Sequence, residues 1–486
     1  MYRQWMKVAA FVLFFSVQTS HAALPYSPFT VAELATVKAY LFKNITSTSN
    51  PFIKYDENRQ IFSSPGAVLA SPSNRGNRFS QDYQFHWTRD AAITMHYLVS
   101  SYSSASNAER RALRDYFMNY INFERMVQKQ VSNPGEQTLG QPKFNIDTTV
   151  WEGPWGRPQN DGAALRAYTL IGMATIFLNV KDEKWVRENI LPLIITDLNY
   201  VVSEWQNPSF DVWEEVNDPD HFFNKMVQRK SLIAGAALLL SFNDREKANQ
   251  YAKTANDITA SLSGHWNESK GYLTETIKQQ ENKGGGLDSS IMLGVLYGNL
   301  QLPNDAYALS TDQVMSSVYH LRETFANLYT INREHPDNAP LIGRYVSDVY
   351  DGDQFKNGNP WILTTNVLAQ YYYDLAYLYR AQGVINVTKL NLPFFKQINP
   401  HLVEKERVVT AAQHRVLFNA IIFALIGEGD KVLQTVKQYA ACYPDKTCLH
   451  YAEQIDRDLG TQTSAKDLTW SYASLLMAMQ SRSKVA

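Results

Sequence analysis

The sequence predicts an all-α protein. Apolar residues recur at helical spacing in twelve segments, at 31–44, 91–102, 108–128, 162–178, 185–205, 222–242, 245–262, 288–298, 311–329, 364–381, 407–440 and 468–481. With 45% hydrophobic and 13% aromatic residues, the chain can bury a large core and still line a cleft. Its 486 residues exceed the usual single core, which stops growing near ~250–300 residues. Two domains would be the default for that length, but no linker rich in Ser, Thr or Pro interrupts the chain.

Taken in order, the first segment is an address. Arg3 and Lys7 flank a short positive region, and Val8 to Val17 form an apolar run, shorter than the about 20 residues of a spanning helix. Ser20-His21-Ala22 then offers a small-residue cleavage site. Residues 1–22 are thus expected to be a signal peptide, exporting residues 23–486 to the periplasm or the medium, free of the membrane after cleavage. Among the helices, Arg89-Asp90 opens the second and Asn160-Asp161-Gly162 opens the fourth, while Trp185, Trp205 and Trp266 sit in amphipathic surroundings and are assigned to the core. Gly284-Gly285-Gly286 follows Lys283 without the rest of a nucleotide fingerprint, so it is read as the turn before the helix at 288–298. Gly343 to Trp361 is a long loop between helices. Binding residues concentrate on loops held by a rigid scaffold, which is where a barrel of helices displays a site.

Two carboxylates stand behind a tryptophan in Asp211-Val212-Trp213-Glu214-Glu215. A carboxyl group held against indole loses hydration, which raises its pKa towards that of a useful proton donor. Taken alone the pair also fits solvated acids at a helix start. A second acidic, aromatic-bearing segment, Tyr451-Ala452-Glu453-Gln454-Ile455-Asp456, precedes Asp467-Leu468-Thr469-Trp470-Ser471-Tyr472. Cleavage of a glycoside needs one carboxylic acid to protonate the leaving oxygen and one carboxylate to activate water or attack carbon.

The segments Trp87-Thr88-Arg89-Asp90, Trp155-Gly156-Arg157-Pro158-Gln159-Asn160-Asp161-Gly162, Val212-Trp213-Glu214-Glu215, Gly343-Arg344-Tyr345, Asn357-Gly358-Asn359-Pro360-Trp361 and Asp467-Leu468-Thr469-Trp470-Ser471-Tyr472 resemble, in order, the motifs of the glucoamylases of glycoside hydrolase family 15. The resemblance covers nearly the whole mature chain. It implies an (α/α)6 barrel of six helical hairpins, a single catalytic domain, and inverting release of β-glucose from the non-reducing ends of α-1,4-glucans. It also implies the roles. Glu214 matches the general acid, Glu453 the general base, and Glu215 the carboxylate on sugar hydroxyls. Tyr83, Trp87, Arg89 and Asp90 match the wall and floor around the terminal glucose, while Trp155, Trp213, Arg344, Tyr345, Tyr350, Trp361 and Trp470 match further lining residues. Aromatic rings suit the C–H faces of a pyranose, and charged side chains suit its hydroxyl edges. Val212 stands where fungal members carry Leu, and the tract from Tyr350 to Asn357 is longer than in many relatives; both bear on the subsite beyond the first glucose. Other specificities of the family (dextran, isomalto-oligosaccharides, trehalose) and a non-catalytic glucan-binding protein are the alternatives.

A formal net charge of −1 without basic runs leaves no electrostatic footprint for nucleic acid or an anionic membrane. The expected partner is an α-glucan, with no metal, no cofactor, a monomeric state and no separate starch-binding module. The two cysteines, Cys442 and Cys448, bracket a turn just ahead of Glu453. In an exported protein they are expected to form a disulfide that fixes the approach to the base, since they lack the spacing and companion ligands of a metal site.

Overall fold

The computed structural model describes residues 27–56, 59–74, 82–130, 138–181, 183–278, 281–300 and 305–485; the expected signal peptide, 1–22, lies outside them. Among the described residues the helices are α1 (Val31–Lys43), α2 (Thr88–Ser101), α3 (Asn107–Gln128), α4 (Asp161–Leu178), α5 (Glu183–Asn189), α6 (Leu191–Glu204), α7 (Phe222–Ser241) and α8 (Arg245–Ser261). They continue with α9 (Ser290–Tyr297), α10 (Asp312–Leu328), α11 (Thr330–Glu334), α12 (Ile362–Gln382), α13 (Leu392–Ile398), α14 (Arg415–Gln438) and α15 (Thr469–Ser483).

Burial sorts these helices into two layers. α2, α4, α7, α9, α12 and α15 are buried around most of their circumference, the mark of helices enclosed on all sides. Each packs against the next in that sequence, and α15 packs against α2, closing a ring. An outer layer surrounds it, with α1 on α15, α6 on α4, α8 on α7, α10 on α9 and α14 on α12. The outer helices bury one stripe. In α3 that stripe is Leu113, Phe117, Tyr120, Glu124 and Val127, at intervals of four and three, flanked by buried Ile121 and Phe123. Thr30 with Glu33, and Ser106 with Glu109, form capping boxes that start α1 and α3. The result is the expected (α/α)6 barrel.

Two expected helices are corrected. The segment at 185–205 is two helices, because Pro192 in the first turn of α6 has no N–H to continue α5. The segment at 407–440 begins as a strand: Arg407–Thr410 pairs antiparallel with Val384–Val387, and the helix starts only at Arg415. Val408 and Val409 are β-branched and fit the pleat. Trp185, Trp205 and Trp266 do pack against the core, as expected.

Short two-stranded pairs pin the segments that lead into the inner ring. His86–Trp87 pairs with Lys143–Phe144 ahead of α2, Ser209–Phe210 with Asn217–Asp218 ahead of α7, and Gln454–Ile455 with Gln462–Thr463 ahead of α15. Behind Trp87 lies a buried ionic cluster. Arg166 bonds Asp197 at 2.9 and 2.6 Å and Glu124 at 2.9 Å, and Glu124 meets His86 Nε2 at 3.0 Å. The Val68 N–H donates to His86 Nδ1, so Nε2 carries the proton given to Glu124. The closing seam is polar as well: Asn44 donates to the Asp467 carbonyl and to Thr469 Oγ1, both at 2.9 Å, and the Thr469 N–H donates to the Ala70 carbonyl. No described helix is long and apolar enough to cross a membrane.

Candidate active site

Asp211 builds the turn that carries the first carboxylate pair. Its Oδ1 accepts the N–H groups of Glu215 at 2.7 Å and Val216 at 3.0 Å, and its carbonyl accepts the N–H of Glu214 at 2.9 Å. Glu214 is thereby held at φ 66°, a left-handed conformation that a non-glycine residue seldom adopts. The kink sends the two carboxylates apart. Glu214 Oε1 meets the Arg89 guanidinium at 2.6 Å, and its Oε2 accepts the Trp155 indole N–H. Glu215 turns to Tyr345 Oη at 2.7 Å, Arg344 at 2.8 Å and Lys283 at 3.2 Å. The expectation that Trp213 covers the acid is corrected: its indole N–H donates to Asp288 at 2.9 Å and its ring lies 5.7 Å from that of Trp361. The indole on Glu214 belongs to Trp155.

Arg89 is a hub at the start of α2. Besides Glu214 it reaches Asp161 at 2.9 Å, Gln159 at 3.1 Å and Asp90 at 3.6 Å, and it lies 6.0 Å from the Trp470 ring. Burial pushes Asp90 up to about 7; Arg89 opposes that shift, while Glu214 and Asp161 add to it. Trp470, in the first turn of α15, donates its indole N–H to Tyr297 at 3.1 Å.

Glu453 is buried, 3% exposed, in the segment before α15. Tyr83 Oη donates to its Oε1 at 3.0 Å, and Ser464 Oγ and Gln454 Nε2 donate to Oε2, the latter at 3.3 Å. Burial pushes its carboxyl up to about 7, against the pull of Ser464, Tyr83 and Arg344. Arg344 itself chelates Asp348 at 2.8 and 2.6 Å inside a cage of Trp213, Tyr345, Tyr350 and Trp361 rings, each 5.3–5.6 Å away. Tyr350 Oη lies 3.3 Å from Tyr83 Oη. One aromatic wall joins the two acids: Tyr83 lies 5.6 Å from Trp87, and Trp87 lies 6.1 Å from Trp155. All fourteen residues singled out by the sequence therefore meet in one network.

The same network holds residues that sequence reading missed. Lys143 places its ammonium 4.1, 4.4, 4.0 and 4.3 Å from the rings of Phe85, Trp87, Trp151 and Trp155. Burial pushes it down to about 7, against the attraction of Glu214. Lys283 bonds Asp211 as well as Glu215 and is 2% exposed; burial opposes its charge, but Asp211, Asp288 and Glu215 outweigh that and raise its pKa. The three glycines after it, at φ 59°, 75° and 87°, make the reversal that presents it. They were legible as a turn, but nothing in the sequence marked the lysine as part of a site. Ser464 carried no signal either.

Cys442 and Cys448 form the expected disulfide. The loop it closes is fastened near Glu453: Tyr443 stacks on His450 at 3.8 Å, His450 stacks on Tyr40 at 4.3 Å, and Tyr443 Oη and His450 Nδ1 both reach Asp467, at 3.0 and 2.7 Å.

A model of the family described as glycosyl hydrolases family 15 matches residues 55–480. "Glucoamylase 1" of Rhizopus oryzae is 34% identical over 422 residues, 86% of this chain and 66% of the relative, so the chain spans about two thirds of that protein's length. Among solved structures, a glucoamylase of Saccharomycopsis fibuligera superposes with a TM-score of 0.80 at 31% identity, covering 96% of this chain and 98% of that one. A glucoamylase of Hypocrea jecorina gives a TM-score of 0.81 at 31% identity, covering 94% of this chain and 72% of its own.

Proposed function

Since the chain belongs to glycosyl hydrolases family 15, we propose that it is an inverting, exo-acting glucosidase that releases β-D-glucose from the non-reducing ends of α-1,4-glucans. The exported catalytic domain is residues 23–486. Glu214 is the general acid and Glu453 the general base; inversion requires their carboxyl groups to lie roughly 6.5–9.5 Å apart, so that a water fits beside the base. The observation that carries this reading is the shared wall Tyr83–Trp87–Trp155, which ties one carboxylate to each of its ends.

Each step follows from this chain's own groups. The terminal glucose rests against Trp87 with Arg89 and Asp90 on its hydroxyls, and Arg89 at 2.6 Å holds Glu214 against the scissile oxygen. Glu214 gives its proton to that oxygen as the bond lengthens. Glu453, raised to about 7 by burial, is basic enough to take a proton from water while Tyr83 and Ser464 keep its two oxygens in place. The positive charge developing at the sugar ring faces Asp90, Glu215 and Glu453, of which Asp90 and Glu453 are buried, where electrostatic stabilisation is strong. Water attacks the face opposite the leaving group, so configuration inverts. Proton NMR of early soluble-starch hydrolysis, before mutarotation, tests this: the glucose cut from chain ends must appear first as the β-anomer. Early α-glucose overturns the assignment of Glu453, and release of maltose or longer fragments from starch overturns exo action. Glucose release from isomaltose and trehalose at equal enzyme tests the linkage.

A further inference from the structure

Phe355 leaves 76% of its surface in water, yet its loop holds it firmly beside the candidate site. Tyr350 and Phe355 form an antiparallel bridge, and Asp351 Oδ1 accepts the N–H groups of Asp353 at 3.0 Å and Gln354 at 2.6 Å. Gly352, at φ 94°, lies so close to Ser464 that a Cβ there would sit 2.5 Å from the serine Cβ. The Phe355 ring stands 6.0 Å from that of Tyr350, whose hydroxyl meets Tyr83, the partner of Glu453. Across the site, Trp155 on Glu214 is 43% exposed. A scattered exposed hydrophobe needs no explanation. A braced one, a single ring outward from the catalytic wall, does.

Resting on the exo-glucosidase reading, we propose that Phe355 is a stacking platform for the glucose units that follow the scissile linkage, and that it sets a preference for longer α-glucans over the disaccharide. An exo-acting pocket places the terminal glucose innermost, so a ring at the mouth meets sugars further along the chain. Such sugars offer flat C–H faces to an aromatic ring. Because the loop is already ordered by its own hydrogen bonds, binding there immobilises little more.

The test compares kcat/KM for maltoheptaose and maltose in the wild type, Phe355→Ala and Phe355→Trp. Loss of one aromatic stack corresponds to roughly a 3- to 10-fold effect, so the maltoheptaose-to-maltose ratio should fall by about that factor in Phe355→Ala and recover in Phe355→Trp. An unchanged ratio overturns the proposal. So does an equal loss on both substrates, which would make Phe355 a prop for Tyr350. A wild type that releases glucose from neither sugar refutes the exo-glucosidase reading itself, a result distinct from either of these.

Discussion

Replacing Ser464 with alanine should move the acid limb of the pH–rate profile upward. Ser464 donates to Glu453 Oε2, and a donor to a carboxylate stabilises its charged form. A hydrogen bond to a charged group contributes about 1.5–3 kcal/mol, and one pKa unit is about 1.4 kcal/mol, so losing it raises Glu453 from about 7 by roughly one to two units. The base must be ionised to take a proton from water. Below the limb, therefore, kcat/KM should fall a further ~10- to 100-fold relative to wild type, one decade per unit. Tyr83 at 3.0 Å keeps the carboxylate oriented, so the loss should fade at pH values above the shifted limb. The assay is kcat/KM on maltose from pH 4 to 9, which reports groups of the free enzyme. Ser464 sits at φ 67°, so Ser464→Gly, which suits that backbone, should shift the limb equally. A limb that stays put or moves to lower pH in both variants would refute the reasoning.

Glu214→Gln keeps the shape but loses the proton, so kcat should fall at least ~100-fold while maltose still binds in calorimetry; near-normal turnover would move the acid elsewhere. Glu453→Gln should raise the melting temperature more at pH 8 than at pH 5. The folded carboxyl titrates at about 7 against 4.5 ordinarily, so its contribution to stability is fully present below 4.5 and lost as pH rises through 7. The loss reaches at most ~3.5 kcal/mol, and the neutral amide escapes it; equal gains at the two pH values would refute this. Lys283→Met leaves buried Asp211 without its cation and should cost ~3–5 kcal/mol in urea unfolding. A midpoint within error of wild type would show that the pair contributes little.

Much of the fold was legible because helical periodicity is local. Leu113, Phe117, Tyr120 and Ile121 announce the buried face of α3 from the sequence alone. The misread ends were places where local chemistry outweighs periodicity: Pro192 interrupts one helix, and the Val408-Val409 strand precedes another. The site was legible through motif resemblance, which delivered Glu214, Glu453 and their neighbours. It could not deliver partners fixed only by the tertiary structure. Trp213 adjoins Glu214 in sequence yet serves Asp288, while Trp155, 59 positions away, serves Glu214. Lys143 enters its aromatic cage because Lys143–Phe144 pairs with His86–Trp87, a contact that no spacing in the chain records.

The polar seam between Asn44, Ala70 and Thr469 dictates when the enzyme comes into being. The proposed acid, Glu214, lies near the middle of the chain, whereas the proposed base, Glu453, and the helix that shuts the ring lie in its final stretch. As the chain is made from its N-terminus, the first hairpins have only one flank to pack against, and α1 must wait more than 400 residues for α15. A chain lacking its last helix thus holds half of the proposed site and an open wall with an apolar edge. Closure of the ring and assembly of the proposed site arrive together, so catalysis by Glu214 and Glu453 would be confined to chains folded to their last helix.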